Sequence, residues 1–205
     1  GPGTGIINQG AVGIRNNKIE AVGESSQNEN NTGPTGRLML PAKHPAGFVD
    51  VHMHTGDTIF RGCAQDLPGK DWMFKGILPL LGQAGTEDIR RGSMVNIVEA
   101  LKTGTTTFGD FYYPMTELVK NHVKLGTRAV VSSMINQLPG YFRDDATVPY
   151  PLDPAIGEVK LKDNIQLIEQ YHESQNGRIQ CRFGPHAPDM CSTEMLEEIK
   201  FLGDR

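Results

Sequence analysis

The chain contains 205 residues, 38% of them hydrophobic, which is sufficient for the core of one large domain or two small ones. Its formal net charge is −4 and its lysines and arginines are scattered, so it offers no basic surface for nucleic acid or an anionic membrane. The sequence has no apolar run of about 18 residues that would span a membrane, and we expect a cytoplasmic protein.

The first 45 residues predict a small β-structure. Residues 11–22 alternate between apolar and polar positions around an Asn-Asn turn, which is typical of a hairpin. Residues 24–37 are polar and interrupted by glycine and proline, and they predict a surface excursion. A brief strand is predicted at 38–40, and the pattern changes from Gly47 onwards.

The next feature is a histidine pair, His52 and His54, which follows an apolar strand at 47–51. Strand side chains alternate between faces, so the two imidazoles should project the same way. Two neutral imidazoles can each place a nitrogen about 2.0–2.1 Å from one Zn²⁺. A bare His-x-His is common by chance and is often merely hydrogen-bonded. The strand before it and the long irregular loop after it favour a metal site.

The three cysteines, Cys63, Cys181 and Cys191, form no Cys-x-x-Cys pattern. They indicate neither a disulfide framework nor a zinc finger. Cys63 lies in the loop after the histidine pair and has the chemistry of a nucleophile, but no histidine and acid stand in a suitable pattern around it. We expect a buried free thiol there.

Beyond residue 46, strands alternate with helices. Strands are predicted at 47–51, 105–111, 128–132 and 179–183, and helices from a cap at Thr86, at 115–125, at 161–173 and from a cap at Ser192. The helix that begins near Thr86 carries an apolar stripe of Ile89, Val95, Val98 and Leu101. This alternation indicates an α/β fold with a parallel sheet, and about eight such units would close a (β/α)₈ TIM barrel.

Only four such units are visible, so the strand edges and apolar faces of the arc should be uncovered. We expect an incomplete chain. The alternatives are a truncated form of a longer enzyme, a barrel completed by a partner segment or a dimer, and a rearranged open α/β domain.

Four groups of residues, in order along the chain, resemble the amidohydrolase superfamily. They are residues 47–54, Arg61 and Gly62 with Asp66 and Leu67, residues 101–110, and residues 184–188 with Cys191 and Ser192. The closest resemblance is to its chlorohydrolase and aminohydrolase branch, which includes adenosylhomocysteine, methylthioadenosine, guanine and cytosine deaminases and triazine hydrolases. The resemblance implies that residues 1–45 are part of a small β-sandwich and that residues 46–205 are the first four β/α units of a TIM barrel.

The resemblance also implies a chemistry. It indicates a hydrolase that breaks a C–N or C–Cl bond of a small heteroaromatic substrate with hydroxide activated by one divalent metal, most often zinc and sometimes iron. His52 and His54 would be two of its ligands. The other ligands, a His and an Asp, and the Glu that shuttles protons would lie beyond Arg205. The complete protein is expected to be a homodimer. The alternative is a non-catalytic fragment or pseudoenzyme that uses the scaffold for binding or assembly.

Several residues are candidates for the substrate site. In the resemblance His186 contacts the substrate ring, although a histidine satisfied by backbone partners is the alternative. Lys160 is a candidate basic contact, and Trp72 with Tyr112 and Tyr113 either walls an aromatic pocket or fills core volume. Asp110 is expected to cap loop amides rather than to act in catalysis.

Two departures from the family pattern bear on the substrate. Adenosine-type deaminases have a Glu for the ribose hydroxyls where ungapped counting places Leu81. The Arg expected for the homocysteine carboxylate falls on Ser132 or Ser133, which removes a bidentate anion contact. We therefore expect a smaller or less polar ring than an adenosylated one.

Overall fold

The computed structural model describes residue 7 and residues 10–15, 18–24, 37–39, 47–139 and 150–205. The chain divides into two compact units, Gly1–Ala46 and Gly47–Arg205. In the first unit, strand β1 (Gly10–Arg15) pairs antiparallel with β2 (Lys18–Glu24) and with β3 (Arg37–Met39). The predicted hairpin and the brief third strand are therefore confirmed. Its Asn-Asn turn and residues 25–36 of the predicted excursion lie outside the described residues.

The second unit is built on a parallel sheet. Its strands follow chain order: β4 (Phe48–Met53), β5 (Thr105–Tyr112), β6 (Arg128–Ile135) and β7 (Ile179–Cys181). A two-residue strand, β8 (Gly184–Pro185), pairs with the end of β6. Parallel neighbours in chain order require a crossover between each pair, which the helices provide. The α/β class with a parallel sheet is confirmed, and the closed barrel stays a prediction.

Helices fill the connections between these strands. A 3₁₀ helix (Thr55–Phe60) follows β4, and a further helical segment comprises α1 (Gly69–Asp71), a π-helical turn (Trp72–Ile77) and α2 (Leu78–Leu81). The later helices are α3 (Thr86–Lys102), α4 (Met115–Leu125), α5 (Pro154–Tyr171), α6 (Ser174–Gly177) and α7 (Thr193–Gly203). The loop predicted after the histidine pair thus contains a 3₁₀ helix.

Two helix boundaries match the prediction. Helix α4 ends at Leu125, and Gly126 follows in the left-handed region with φ 70°, as a terminating glycine does. Helix α7 is capped by Ser192, whose Oγ accepts a hydrogen bond from the Met195 amide at 3.2 Å.

Two other helix starts differ from the prediction. Helix α5 begins at Pro154 rather than at residue 161, because Asp153 caps it and its Oδ1 accepts from the Ala155 amide at 2.9 Å. Helix α3 has Gly85 at its cap position instead of Thr86. The Gly85 amide donates to Asp88 Oδ2 at 3.1 Å, so the first-turn carboxylate completes the cap from inside the helix.

The apolar stripe predicted for α3 was wrong for three of its four members. Ile89 is buried, but the exposed positions are Val95, Val98 and Leu101. The buried face includes Gly92 and Ser93, against which the 3₁₀ helix packs. A Cβ on Gly92 would lie 2.6 Å from Cγ2 of Ile59. Gly92 and Ser93 permit this approach because they are small, and neither contributes to an apolar periodicity in the sequence.

The hydrophobic core of the second unit has two parts. The main cluster is formed by α3, α4 and α5 with β5, β6 and β7, and its fully buried members include Ile97, Phe108, Met115, Leu118, Val131, Leu167 and Ile179. A smaller cluster joins the end of β6 to α5 and α7 through Ile135, Leu161, Cys191, Met195 and Ile199. Each large apolar side chain buried in this way contributes roughly 1.5–3 kcal/mol. These clusters hold the carboxyl ends of the strands in register.

Strand β4 forms an edge of the sheet within the described part of the chain. Its apolar side chains are largely exposed, at 63% for Phe48, 62% for Val49 and 74% for Val51. The uncovered edge predicted for a four-stranded arc is therefore present.

Across the described ranges, no helix combines the length and apolar character needed to cross a bilayer.

Gly109 allows β4 and β5 to approach closely just before the histidine pair. A Cβ there would lie 2.3 Å from the carbonyl oxygen and 2.6 Å from the carbonyl carbon of Val51, and backbone atoms cannot rotate away. We expect Gly109→Ala to lower the free energy of unfolding by about 1–3 kcal/mol, measured by urea titration. Gly69→Ala is the control, because nothing lies within 4 Å of its Cβ position. Equal effects of the two substitutions would contradict the steric explanation.

The prediction of a buried thiol at Cys63 was wrong. Cys63 is exposed, whereas Cys181 and Cys191 are buried. Residues 61–66 form surface turns in which Ala64, not Cys63, packs inward. Burial raises the pKa of the Cys181 thiol to about 12 and also raises the pKa of Cys191 above its ordinary value.

This difference predicts selective alkylation. In the folded protein, iodoacetamide should modify Cys63 at least about tenfold faster than Cys181 or Cys191, because burial restricts access and suppresses the reactive thiolate. Peptide mass spectrometry after timed pulses measures the three rates. In urea the rates should become similar, and a slow Cys63 in the folded state would contradict the described exposure.

Candidate metal centre

The two histidines that end β4 converge. His52 is in the strand and His54 follows it, and their Nε2 atoms lie 3.2 Å apart with ring centroids separated by 4.7 Å. The structure thus places both imidazoles on one side of the strand, as the alternation of side chains predicted.

A backbone carbonyl fixes the tautomer of His54. Its Nδ1 lies 2.6 Å from the carbonyl oxygen of Phe111 at the end of β5. A carbonyl oxygen only accepts, so Nδ1 donates and Nε2 of the neutral ring carries the lone pair. Histidine ligands of metals are held in this way, with one nitrogen bonded to a carbonyl and the other bound to the ion.

The pair fits a divalent metal. The 3.2 Å between the two Nε2 atoms would allow one divalent ion, about 2.0–2.1 Å from each, to be bound by both. His52 and His54 are therefore suitable as two ligands. Within the described ranges, no cluster of three or more His, Cys, Asp or Glu side chains is arranged to hold an ion.

The pair opens onto a cavity of about 470 Å³. The cavity is lined by His52, His54, Phe111, Ser132, Arg182, Phe183, Gly184, Pro185 and His186. It lies where β4, β5, β6 and β8 end, the position at which parallel α/β barrels carry their active sites. Arg182 was not among the candidates identified from the sequence, and it lines the cavity together with the four residues that follow it.

His186 lies in the same cavity as the histidine pair. Its ring centroid is 5.6 Å from that of Phe111, and its Nδ1 is 3.4 Å from Nδ2 of Asn136. Its backbone amide donates to the carbonyl oxygen of Ile135 at 2.9 Å. Burial lowers the pKa of His186, and the nearby charges of His54 and Lys160 lower it further, so the neutral ring is favoured. The ring is thus held by a side-chain amide.

Lys160 reaches this site through Asn136 and is not among the residues that line the cavity. Its Nζ donates to Oδ1 of Asn136 at 2.6 Å and lies 5.5 Å from the centroid of the Tyr113 ring. Burial lowers the pKa of Lys160 from its ordinary value. The structure therefore places Lys160 behind the cavity wall, with Asn136 between it and His186.

The aromatic residues of the cavity differ from the predicted set. Phe111 and Phe183 line it. Trp72 lies on the π-helical turn with 42% of its surface exposed and is not a lining residue. The Tyr112 hydroxyl donates to Asp57 Oδ1 at 2.7 Å, on the face of β5 opposite to Phe111. Burial raises the pKa of Asp57.

Asp110 anchors the chain immediately after His54. Its fully buried carboxylate accepts from the Thr55 amide at 3.2 Å and from the Thr55 hydroxyl at 2.5 Å, and it lies 3.2 Å from Nε2 of His122. His122 Nδ1 contacts Thr127 Oγ1 at 2.8 Å. The expected amide cap is present. The sequence carried no pattern that pointed to His122 in this network.

Comparison with known proteins identifies related sequences. A sequence model of the amidohydrolase family matches residues 45–201. The chain is 32% identical over 201 residues to a 5'-deoxyadenosine deaminase of Methanosarcina acetivorans, covering 97% of this chain and 42% of that protein. It is 34% identical over 199 residues to a 5-methylthioadenosine/S-adenosylhomocysteine deaminase of Desulfitobacterium hafniense, covering 96% and 42%. The chain thus spans about two fifths of the length of these relatives.

Solved structures share the fold. An adenosine deaminase from Xanthomonas campestris with bound zinc superposes with a TM-score of 0.73 at 24% identity, over 97% of this chain and 43% of that chain. The atrazine chlorohydrolase from Arthrobacter aurescens in complex with zinc gives 0.69 at 19% identity, over 97% and 45%.

Proposed function

The chain belongs to the amidohydrolase family, and on that premise we propose that it carries two metal ligands and a substrate-binding histidine of a metal-dependent deaminase. The observation that carries the proposal is the convergence of Nε2 of His52 and His54, 3.2 Å apart, with the His54 lone pair directed by the Phe111 carbonyl. The same 3.2 Å approach is also that of a hydrogen bond between the two rings, so metal binding by the pair is the point that the experiments must test. The predicted assignment of both histidines as metal ligands stays a proposal with this support.

The residues of the cavity would have separate roles in this reaction. A divalent metal, zinc by preference, would supply an activated water for attack on a ring carbon. His54 is oriented by Phe111, and the turn that follows it is anchored by Asp110 through Thr55. His186, which lines the same cavity, would hold the substrate ring by a hydrogen bond from its Nε2. Phe111 contacts both His54 and His186 and supplies an apolar surface for a flat ring.

We propose an amino-substituted heteroaromatic ring as the substrate, with ammonia as the leaving group. The named activities of the two curated relatives, deaminases of adenosine derivatives, support a purine. The expected preference for a smaller or less polar ring depended partly on Leu81. The Leu81 side chain packs partly buried against the main hydrophobic cluster and does not line the cavity, so it gives that preference no support. Ser132 lines the cavity where an Arg was expected, and Arg182 lines it from the neighbouring segment. The cavity wall therefore still includes an arginine.

A substrate panel tests this function. Zinc-loaded natural protein would be assayed for ammonia and chloride release with free nucleobases, amino- and chloro-triazines, deoxyadenosine, methylthioadenosine and S-adenosylhomocysteine. We expect ammonia from at least one aminopurine, and loss of that activity after chelation. Chloride release alone would replace the deaminase by a chlorohydrolase. Stoichiometric binding of a ring without turnover would favour the non-catalytic alternative.

A further inference from the structure

The orientation of the Asn136 side chain is determined by Lys160. Nζ of Lys160 lies 2.6 Å from Oδ1 of Asn136. An ammonium group has donors only, so the amide oxygen must be the atom that faces it. The Leu138 amide also donates to Oδ1, at 3.3 Å. Two donors on one oxygen remove the ambiguity between the oxygen and nitrogen of the amide.

The amide orientation in turn determines the tautomer of His186. With Oδ1 on Lys160, Nδ2 of Asn136 faces Nδ1 of His186 at 3.4 Å. An amide nitrogen only donates, so Nδ1 must accept and the single proton of the neutral ring resides on Nε2. His186 thus presents an N–H donor at Nε2, whereas His54 presents a lone pair there.

Lys160 is itself held in place. Its ammonium group lies over the ring of Tyr113, 5.5 Å from the centroid, and the Tyr113 hydroxyl donates to Asp163 Oδ2 at 2.7 Å on the same helix, α5. Asn136 is only 6% exposed. A buried amide and a half-buried ammonium, each satisfied by the other, keep one arrangement because any alternative leaves a polar group unpaired.

We propose that Lys160 and Asn136 are positioning residues that fix His186 as an Nε2–H donor for an unprotonated acceptor atom on the substrate ring. The role given to the donor depends on the proposed function, whereas the tautomer does not. The substrate class that fits is a heteroaromatic ring with an unprotonated ring nitrogen.

The test is the protonation pattern of His186 in the natural zinc-loaded protein. Long-range proton–nitrogen NMR on isotope-labelled histidine distinguishes protonated from unprotonated ring nitrogens, and His186→Gln assigns the signal. We expect protonated Nε2 and unprotonated Nδ1. In Asn136→Asp the carboxylate can only accept, so Nδ1 should become protonated. Lys160→Met releases the amide and should increase the Nδ1-protonated fraction, while Lys162→Met, an exposed lysine on the same helix, should change nothing.

Kinetics provide the second readout. Asn136→Asp and Lys160→Met should lower kcat/KM by roughly tenfold or more at unchanged zinc content, and Lys160→Arg should retain more activity than Lys160→Met. Protonated Nδ1 in the unmodified protein would overturn the proposal. So would a His186 protonation pattern that stays the same in both Asn136→Asp and Lys160→Met. A responsive tautomer in a protein without deaminase activity would refute the proposed function alone. Deamination with an unresponsive tautomer would refute only the positioning role.

Discussion

Replacement of His52 or His54 by alanine is expected to reduce bound zinc to about a tenth or less of the unmodified level, and turnover with it. Each substitution removes one of about four ligands, and a site with a missing ligand loses most of its affinity. The fold should survive, because His52 is exposed and His54 is only half-buried. Zinc per chain by elemental mass spectrometry and a thermal unfolding curve on the same sample separate the two effects.

His172→Ala is the matched control for this experiment. His172 is an exposed histidine after α5, and its Nδ1 accepts a hydrogen bond from the Cys181 amide at 3.1 Å, so it has a structural partner outside the candidate metal centre. Its zinc content should equal that of the unmodified protein. Unchanged zinc in His52→Ala would refute the assignment of the pair as metal ligands.

His186→Asn is expected to lower kcat/KM by about a hundredfold or more while zinc content stays at the unmodified level. The Asn side chain is shorter and cannot reach the ring position with a donor, so a contact to the reacting ring is lost and the metal ligands are untouched. Steady-state ammonia release and zinc determination on one preparation measure both quantities. Loss of zinc in this variant would mean that His186 binds the metal and not the substrate.

Much of the fold was predictable because local signals determine it. The end of α4 follows from Gly126, and the start of α7 follows from Ser192. The sequence also contains a signal for the start of α5, a capping Asp153 followed by Pro154. The predicted start at residue 161 followed the apolar periodicity instead, which begins further along the chain. The face of α3 was not predictable in this way, since Gly92 and Ser93 are buried for their small size.

The candidate metal centre was predictable only where its chemistry is local. His52 and His54 are two residues apart, so strand alternation brings them together. The groups that define their roles are distant in the chain: the Phe111 carbonyl is 57 positions from His54, and Asn136 is 50 positions from His186 and 24 from Lys160. A backbone carbonyl leaves no trace in a sequence motif. Lys160 was therefore recognised as basic, but its partner could not be identified.

The most direct test of the metal centre is anomalous diffraction at the zinc edge from crystals of the natural protein. We expect one peak, about 2.0–2.1 Å from Nε2 of both His52 and His54. We also expect Nε2 of His186 to lie outside the coordination shell. Absence of a peak between the two imidazoles in zinc-loaded crystals, or a peak coordinated by His186, would contradict the assignment of the pair as metal ligands.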